Sequence, residues 1–377
     1  MLPLGVNSAY VSKNLTVDFE QNILERDPVL KYEKPQGFKR LWIKLIQKIA
    51  PSPYLRFKRK LKAYSKGGFE TLTVPFSPYR LEDHPLIQQA DIVHLHWVSE
   101  LVDARFFKNL NKPLVWTFHD MNPLMGVFHY TTDIGQADKK LKVLDALFRS
   151  HKARQYRSIN KLTVVSPSEW LKQAALQSTM FPQDSFMRIA NPISFQYKTE
   201  VKDVFSNDHK ALCIAHDLRI PRKGMHLLQE ALNSIHISID LSTLGKGELN
   251  CTNPKIHVNA LGAAKSPEEI MECYANSDVL ILPSIEDNLP NTMLEALSVG
   301  TPVVAFNTGG MAETIKPGFN GLLAPEMTAE SLAETLNKFF KEKHTYNRNA
   351  IREDAKLQFE AASQASKYLE VYKRFTP

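Results

Sequence analysis

The chain has 377 residues, 43% of them hydrophobic and 23% charged, and 47 Lys and Arg against 40 Asp and Glu give a formal charge of +7. That length is a soft indication of two domains with room for sizeable cores, and the composition is ordinary for a soluble globular protein. No stretch resembles a signal peptide, and no apolar run approaches the ~20 residues of a transmembrane helix. Cys213, Cys251 and Cys273 lack metal or redox spacing and point to a reducing cytoplasm. The positive charge admits nucleic acid, an anionic membrane or phosphorylated substrates as partners.

In chain order, GVNSAYVSK reads as a strand with almost nothing before it. Residues 34–66 carry many Lys and Arg and no acid. Within them Phe38, Leu41, Trp42, Leu45, Ile46 and Ile49 recur at helical spacing, opposite Lys39, Arg40, Lys44 and Lys48. Two readings stand side by side: a helix attached to an anionic membrane surface, or a domain helix with a solvated basic face. No base-stacking platform accompanies the charge, so nucleic-acid binding is not expected. From Glu70 strands alternate with helical stretches, which argues for a parallel sheet: Leu72 to Phe76, Asp91 to Trp97, Pro113 to His119 and Leu162 to Val165. His94, His96, His119 and Asp120 fall at strand C-termini, where open α/β sheets gather ligands. A basic helical stretch over 138–159 and a helix start at SPSEW, capped by Ser166 or Ser168, complete this half.

After a polar stretch from Tyr197 to Lys210, strands are expected at Ala211 to Ala215, Ile237 to Leu244 and Ile256 to Leu261, with helices from Met225 and over Pro267 to Ala275. The run VLILPSIEDNLPNTMLEALSVGTPVVAFNTGG, residues 279–310, then reads as buried strand, polar loop, helix over about Asn291 to Val299 with Asn291 or Thr292 as N-cap, second buried strand and a glycine pair. A helix N-terminus beside a strand end binds anions. Glu286, Asp287 and Glu295 would repel phosphate and hold hydroxyls instead, so a ligand with both groups, such as a nucleotide sugar, fits the stretch. Thr328 to Phe340 reads as an amphipathic helix and the tail, Asn347 to Tyr372, as one further helix.

Residues 279–310 resemble the donor-site signature of retaining glycosyltransferases of family 4, in which two Glu stand eight places apart before a helix ending in Gly-x-Pro-Val-Val. Glu295 matches the second Glu; Asp287 stands at the first position, with Glu286 beside it, and which of the two meets the sugar is open. HDMNPLMGVFHY, from His119 to Tyr130, resembles the active-site loop of a polysaccharide-assembly subgroup, and Lys223-Gly224 resembles the family's diphosphate-gripping Lys-Gly. The family's Arg six places before that Lys is Asp217 here, and Arg219 or Arg222 is expected to replace it.

The resemblance implies an α/β fold of the GT-B type, two Rossmann-like domains facing a deep cleft. Residues 1–195 would form the acceptor domain with the basic insertion 34–66, residues 208–350 the nucleotide-sugar domain, and residues 351–377 a helix crossing back. The first domain would lack its opening strand, glycine-rich loop and helix, with Met1 to Leu4 as the last turn of that helix. His119 and Asp287 or Glu286 would hold the sugar, and Glu295 the ribose hydroxyls. Lys223, Arg222 or Arg219 and the backbone of Leu289, Pro290, Asn291 and Thr292 would hold the diphosphate, with Gly262 beside the base. Asp120, His129 and Tyr130 would bound the acceptor.

The implied activity is retaining sugar transfer from a nucleotide-diphosphate sugar to a glycan or lipid-linked acceptor, in the cytoplasm or on the inner face of its membrane. No cofactor is expected, and no metal, because no Asp-x-Asp pair accompanies the histidines. The alternatives are a non-catalytic nucleotide-sugar-binding protein of the same fold, another GT-B enzyme such as a sugar-nucleotide epimerase or phosphorylase, or a basic scaffold.

Overall fold

The computed structural model describes residues 52–64, 68–182, 185–195, 205 and 207–375, together with the backbone of two short parallel strands, β1 (Tyr10–Ser12) and β2 (Val29–Lys31). The amphipathic helix expected around residues 38–49 and the opening residues Met1 to Leu4 lie outside this range. Within it, the basic insertion contributes helix α1 (Pro53–Lys62), capped by Ser52.

The first sheet is parallel, in the order β3 (Val93–Leu95), β4 (Leu114–Thr117), β5 (Leu162–Ser166), β6 (Phe186–Arg188). β4 and β5 are buried throughout, which is why they read as continuous apolar runs rather than alternating ones. The segment from Leu72 to Phe76 forms no strand. Its β-branched composition is used for packing instead: Val74 is core, and Thr73 donates its N–H to Val127 O at 3.0 Å.

The helix after β5, α2 (Glu169–Gln177), is capped by Ser168, whose Oγ accepts from Leu171 N. The basic helical stretch is α3 (Lys139–Tyr156), capped by Asp138.

The second sheet holds six parallel strands: β7 (Lys210–Asp217), β8 (Ile239–Lys246), β9 (Ile256–Gly262), β10 (Val279–Leu282), β11 (Val303–Phe306) and β12 (Gly321–Ala324). Their order is β9-β8-β7-β10-β11-β12. Chain order therefore reverses between β7 and β10, and such a switch point leaves a crevice at the strand C-termini. The helices α4 (Met225–Ser234), α5 (Pro267–Ala275) and α6 (Asn291–Ser298) join these strands. Helix α7 (Ala329–Glu342) packs on them, capped by Thr328.

The tail is not one helix. It breaks into α8 (Arg348–Phe359) and α9 (Ala361–Lys373) at Glu360, whose ψ of 133° is extended. The break serves a junction: Ile193 N donates to Phe359 O and Ile193 O accepts from Ala361 N, so the chain between the sheets is stitched to the tail. Beyond the break, Val371 is buried against Val115, Val165 and Ile189 of the first sheet, so α9 lies on the first domain.

Candidate functional site

The loops after β7 and β10 flank the switch point and carry opposite charges. After β7, a 3-10 turn (Pro221–Lys223) ends at Gly224 in the left-handed region, φ 67°. A Cβ at Gly224 would lie 1.8 Å from Pro283 O, so glycine lets the Lys223 loop touch the end of β10. Lys223 Nζ reaches Asp287 Oδ2 at 2.7 Å, and Arg222 Nη1 reaches the same oxygen at 3.2 Å. Burial raises the affinity of Asp287 for a proton, but the two cations outweigh it and hold the carboxyl below its usual range.

From the other domain, Glu70 pairs with the buried Arg222 guanidinium, which lies 3.7 Å over the Tyr130 ring and donates to Glu286 O.

Four further contacts join the strand C-termini of the two sheets. Glu286 accepts from Thr131 N, Thr131 Oγ1 and Thr132 N. Asn288 donates to His119 O at 3.2 Å and accepts from Ser168 Oγ. Glu313 accepts from Glu169 N and Trp170 N, at the start of α2. Asn191 donates to Leu289 O and Asn291 Oδ1, both at 3.1 Å. A Cβ at Gly309 would meet Asp287 O at 1.9 Å, so the glycine pair lets α10 (Gly309–Thr314) press on the acidic loop.

Helix α6 starts at Asn291 behind Pro290, with no side-chain cap. The expected caps Asn291 and Thr292 are the first helical residues instead, because Pro290 supplies the extended entry (φ −66°, ψ 125°) and Asn291 is engaged by Asn191. Glu295 lies one turn in and accepts from the buried Tyr274 hydroxyl at 2.9 Å. Burial raises the Glu295 carboxyl, and the Tyr274 hydrogen bond partly offsets this.

Lys223, Arg222, Asp287, Glu286, Tyr130 and the His119 backbone thus form one connected cluster, and Glu295 stands on the helix that leaves it. Arg219 does not join: it is exposed and held by Asp217, which accepts at 2.6 and 2.8 Å, so Arg222 alone is the second cation of the cluster. Of the two acids left open, Glu286 gives both oxygens to Thr131 and Thr132, while Asp287 meets the cations. Gly262 is exposed, with φ 72° and open space around it.

Asp120 and His129 differ from the expected acceptor contacts. Asp120 Oδ2 pairs with His129 Nδ1 at 2.6 Å and Oδ1 accepts from Asn122 N, while His129 Nε2 meets Thr73 Oγ1. His129 is 1% exposed, so these two side chains brace the loop.

The histidines form a row. His94 bonds Tyr372 OH of the tail at 2.6 Å and Thr117 Oγ1 at 2.8 Å, and His96 Nδ1 lies 3.0 Å from His119 Nε2. His94 is thereby a structural histidine tying α9 to the sheet. Burial first, and then the neighbouring rings, push His94 well down and His96 to about 4; burial lowers His119 as well, against Asp120.

The folded state therefore keeps these rings neutral where an unfolded chain, titrating near ~6.5, takes up protons. Stability should fall as pH drops from about 6.5 toward 4, and the His96→Gln variant should show a shallower fall. Urea unfolding at a series of pH values checks this; identical profiles for both proteins would contradict it.

Arg222's partner Glu70, Glu313 and Asn288 were not legible as site residues. Each is defined by a partner from a distant part of the chain.

Among the described residues no group of three or more His, Cys, Asp or Glu is placed to hold a metal ion, and no helix is long and apolar enough to cross a membrane.

Residues 198–358 match the family model described as Glycosyl transferases group 1. An N,N'-diacetylbacillosaminyl-diphospho-undecaprenol alpha-1,3-N-acetylgalactosaminyltransferase of Campylobacter jejuni is 33% identical over 120 residues, 31% of this chain and 31% of that protein. That match spans about a third of the curated relative. A putative colanic acid biosynthesis glycosyl transferase of Escherichia coli, WcaC, is 24% identical over 286 residues, 69% of this chain and 67% of that protein. HepE of Anabaena, crystallised in complex with UDP-glucose, superposes with a TM-score of 0.64 at 17% identity, covering 97% of this chain and 99% of that one. Taken with the two parallel sheets and the site at their C-terminal ends, these likenesses give the chain a GT-B fold whose second half matches the glycosyl transferases group 1 model.

Proposed function

We propose that the protein is a retaining, metal-independent hexosyltransferase that moves a sugar from a nucleoside-diphosphate sugar to a glycan or lipid-linked acceptor in surface-polysaccharide assembly. One observation carries this reading: Lys223 and Asp287 meet at the topological switch point, beside the uncapped start of α6. The leaving diphosphate takes the place of the Asp287 carboxylate as the partner of Lys223, and the backbone N–H groups of Leu289, Asn291 and Thr292 take its remaining charge. Lysine, arginine and a helix N-terminus thereby do the work that a divalent cation does elsewhere.

Asp287, once released, is a hydroxyl acceptor for the donor sugar. Glu295 accepts from the ribose and His119 from the sugar across the cleft. In the transfer step the bond from the anomeric carbon to the diphosphate oxygen breaks and the acceptor oxygen bonds that carbon on the same face. The acceptor's proton passes to the departing phosphate. The contacts between the domains exclude water and so limit hydrolysis.

Group 1 relatives that act in colanic acid and lipid-linked glycan synthesis support the acceptor class. The basic insertion, with Arg56, Arg59, Lys60 and Lys62 on α1, is suited to an anionic membrane surface.

A panel of nucleotide sugars screened by thermal shift identifies the donor, since a ligand at 100 times its Kd stabilises by about 2.7 kcal/mol. The identified donor is then followed in EDTA with an oligosaccharide or polyprenyl-linked acceptor, and the product's anomeric configuration is read by NMR. Transfer with retained configuration is expected. A donor bound but never turned over would leave a binding protein, and a product still attached to the nucleotide would mean an epimerase.

A further inference from the structure

We propose that Trp97 is the stacking platform for the acceptor's sugar ring; this rests on the transferase reading above. Trp97 follows β3 directly, at the edge of the sheet where ligands gather, and it lines a cavity of about 50 Å³ together with Ser99, His119, Asp120, Asn122 and Lys152. Its side chain is 60% exposed, yet its orientation is fixed. One face lies on the His129 ring, with centroids 5.8 Å apart and planes 22° from parallel.

His129 is the visible end of a buried polar network. Asp120 and Thr73 hold its two nitrogens, Asn122 donates to Thr73 Oγ1 and Phe128 O, and the buried Lys152 donates to Asn122 O at 2.7 Å and to Asn122 Oδ1 at 3.1 Å. A network of this kind is worth its desolvation only when fully paired, and here it ends in the ring that orients the indole. Outside that stack the indole is mostly exposed.

A rigid aromatic face with polar side chains at its margin matches a pyranose, which carries axial C–H groups on one face and hydroxyls around its rim. The two imidazoles of His96 and His119, 3.0 Å apart, lie on the same sheet edge to meet those hydroxyls. A nucleobase is the wrong occupant for this position: the diphosphate-binding cations lie on the other domain, after β7. Trp97 is therefore a binding residue for the acceptor and sets which ring can dock.

The test uses the full chain saturated with UDP and, as probes, methyl α- and β-glycosides of glucose, galactose and N-acetylglucosamine, read by saturation-transfer difference NMR. The expected result is saturation concentrated on the axial ring protons of at least one glycoside, kept in Trp97→Phe and reduced at least tenfold in Trp97→Ala. The Kd for UDP should be the same in all three proteins, which verifies that each is folded. Equal saturation in wild type and Trp97→Ala overturns the proposal, as does the absence of saturation from every glycoside while UDP binds. Failure of UDP and every other nucleoside diphosphate to bind would instead strike the transferase reading itself.

Discussion

Replacing Lys223 with Ala is expected to lower turnover by about 10²–10³-fold, the usual consequence of removing one donor that stabilises charge developing in a transition state. The ammonium sits 2.7 Å from Asp287, at the switch point where a leaving diphosphate would gain most from it. Its side chain is only 22% exposed but lies in a loop rather than in an apolar core, so the variant should fold and keep its urea midpoint close to wild type. Lys223→Arg should recover part of the rate, since charge is kept but the point-like ammonium is lost. Steady-state kinetics with the identified donor, alongside far-UV circular dichroism, check this. Turnover near wild type in Lys223→Ala would remove the lysine from the proposed chemistry.

Arg222→Met should have the largest effect on stability, a loss of about 1–3 kcal/mol, because it leaves the buried Glu286 carbonyl without its donor and Asp287 with Lys223 alone. The guanidinium is 4% exposed and serves Glu70, Asp287, the Glu286 carbonyl and the Tyr130 ring together. Two of those partners belong to the first domain and two to the loop after β10, so the residue fastens the domains as well as the loop. Adding Glu70→Gln to Arg222→Met should restore part of the loss, because one of the stranded carboxylates is then neutral. Urea denaturation of the two variants and the wild type measures this. If Arg222→Met unfolded at the wild-type midpoint, the buried cluster would have no role in holding the cleft.

The second domain was readable in the sequence for a physical reason. Its central strands β10 and β11 are buried on both faces, so Val279 to Leu282 and Val303 to Phe306 appear as unbroken apolar runs, and Pro283, Gly300 and Pro302 mark their limits. The acidic loop and the next helix follow the first of these runs directly, which singled out Glu286, Asp287 and Glu295 in the sequence; Lys223 was singled out by the family resemblance of Lys223-Gly224.

Contacts made across long sequence separations were not readable. Glu286 looked like a free acid because its partners, Thr131 and Thr132, stand some 155 residues earlier. Glu360 looked helical because nothing local shows that Ile193 will pull the chain into an extended turn there. Leu72 to Phe76 had the composition of a strand but lies outside the sheet. Trp97 read as one more apolar residue at the end of a strand; only the stack on His129 and its exposure distinguish it.

The most direct test of the diphosphate site is isothermal titration of wild type and Lys223→Ala with a nucleoside diphosphate and the matching monophosphate, the base being that of the donor found by thermal shift. Wild type should bind the diphosphate at least tenfold more tightly than the monophosphate, about 1.4 kcal/mol, and Lys223→Ala should lose most of that preference. A preference of the same size in both proteins would contradict the assignment of the diphosphate to the β7–β10 switch point.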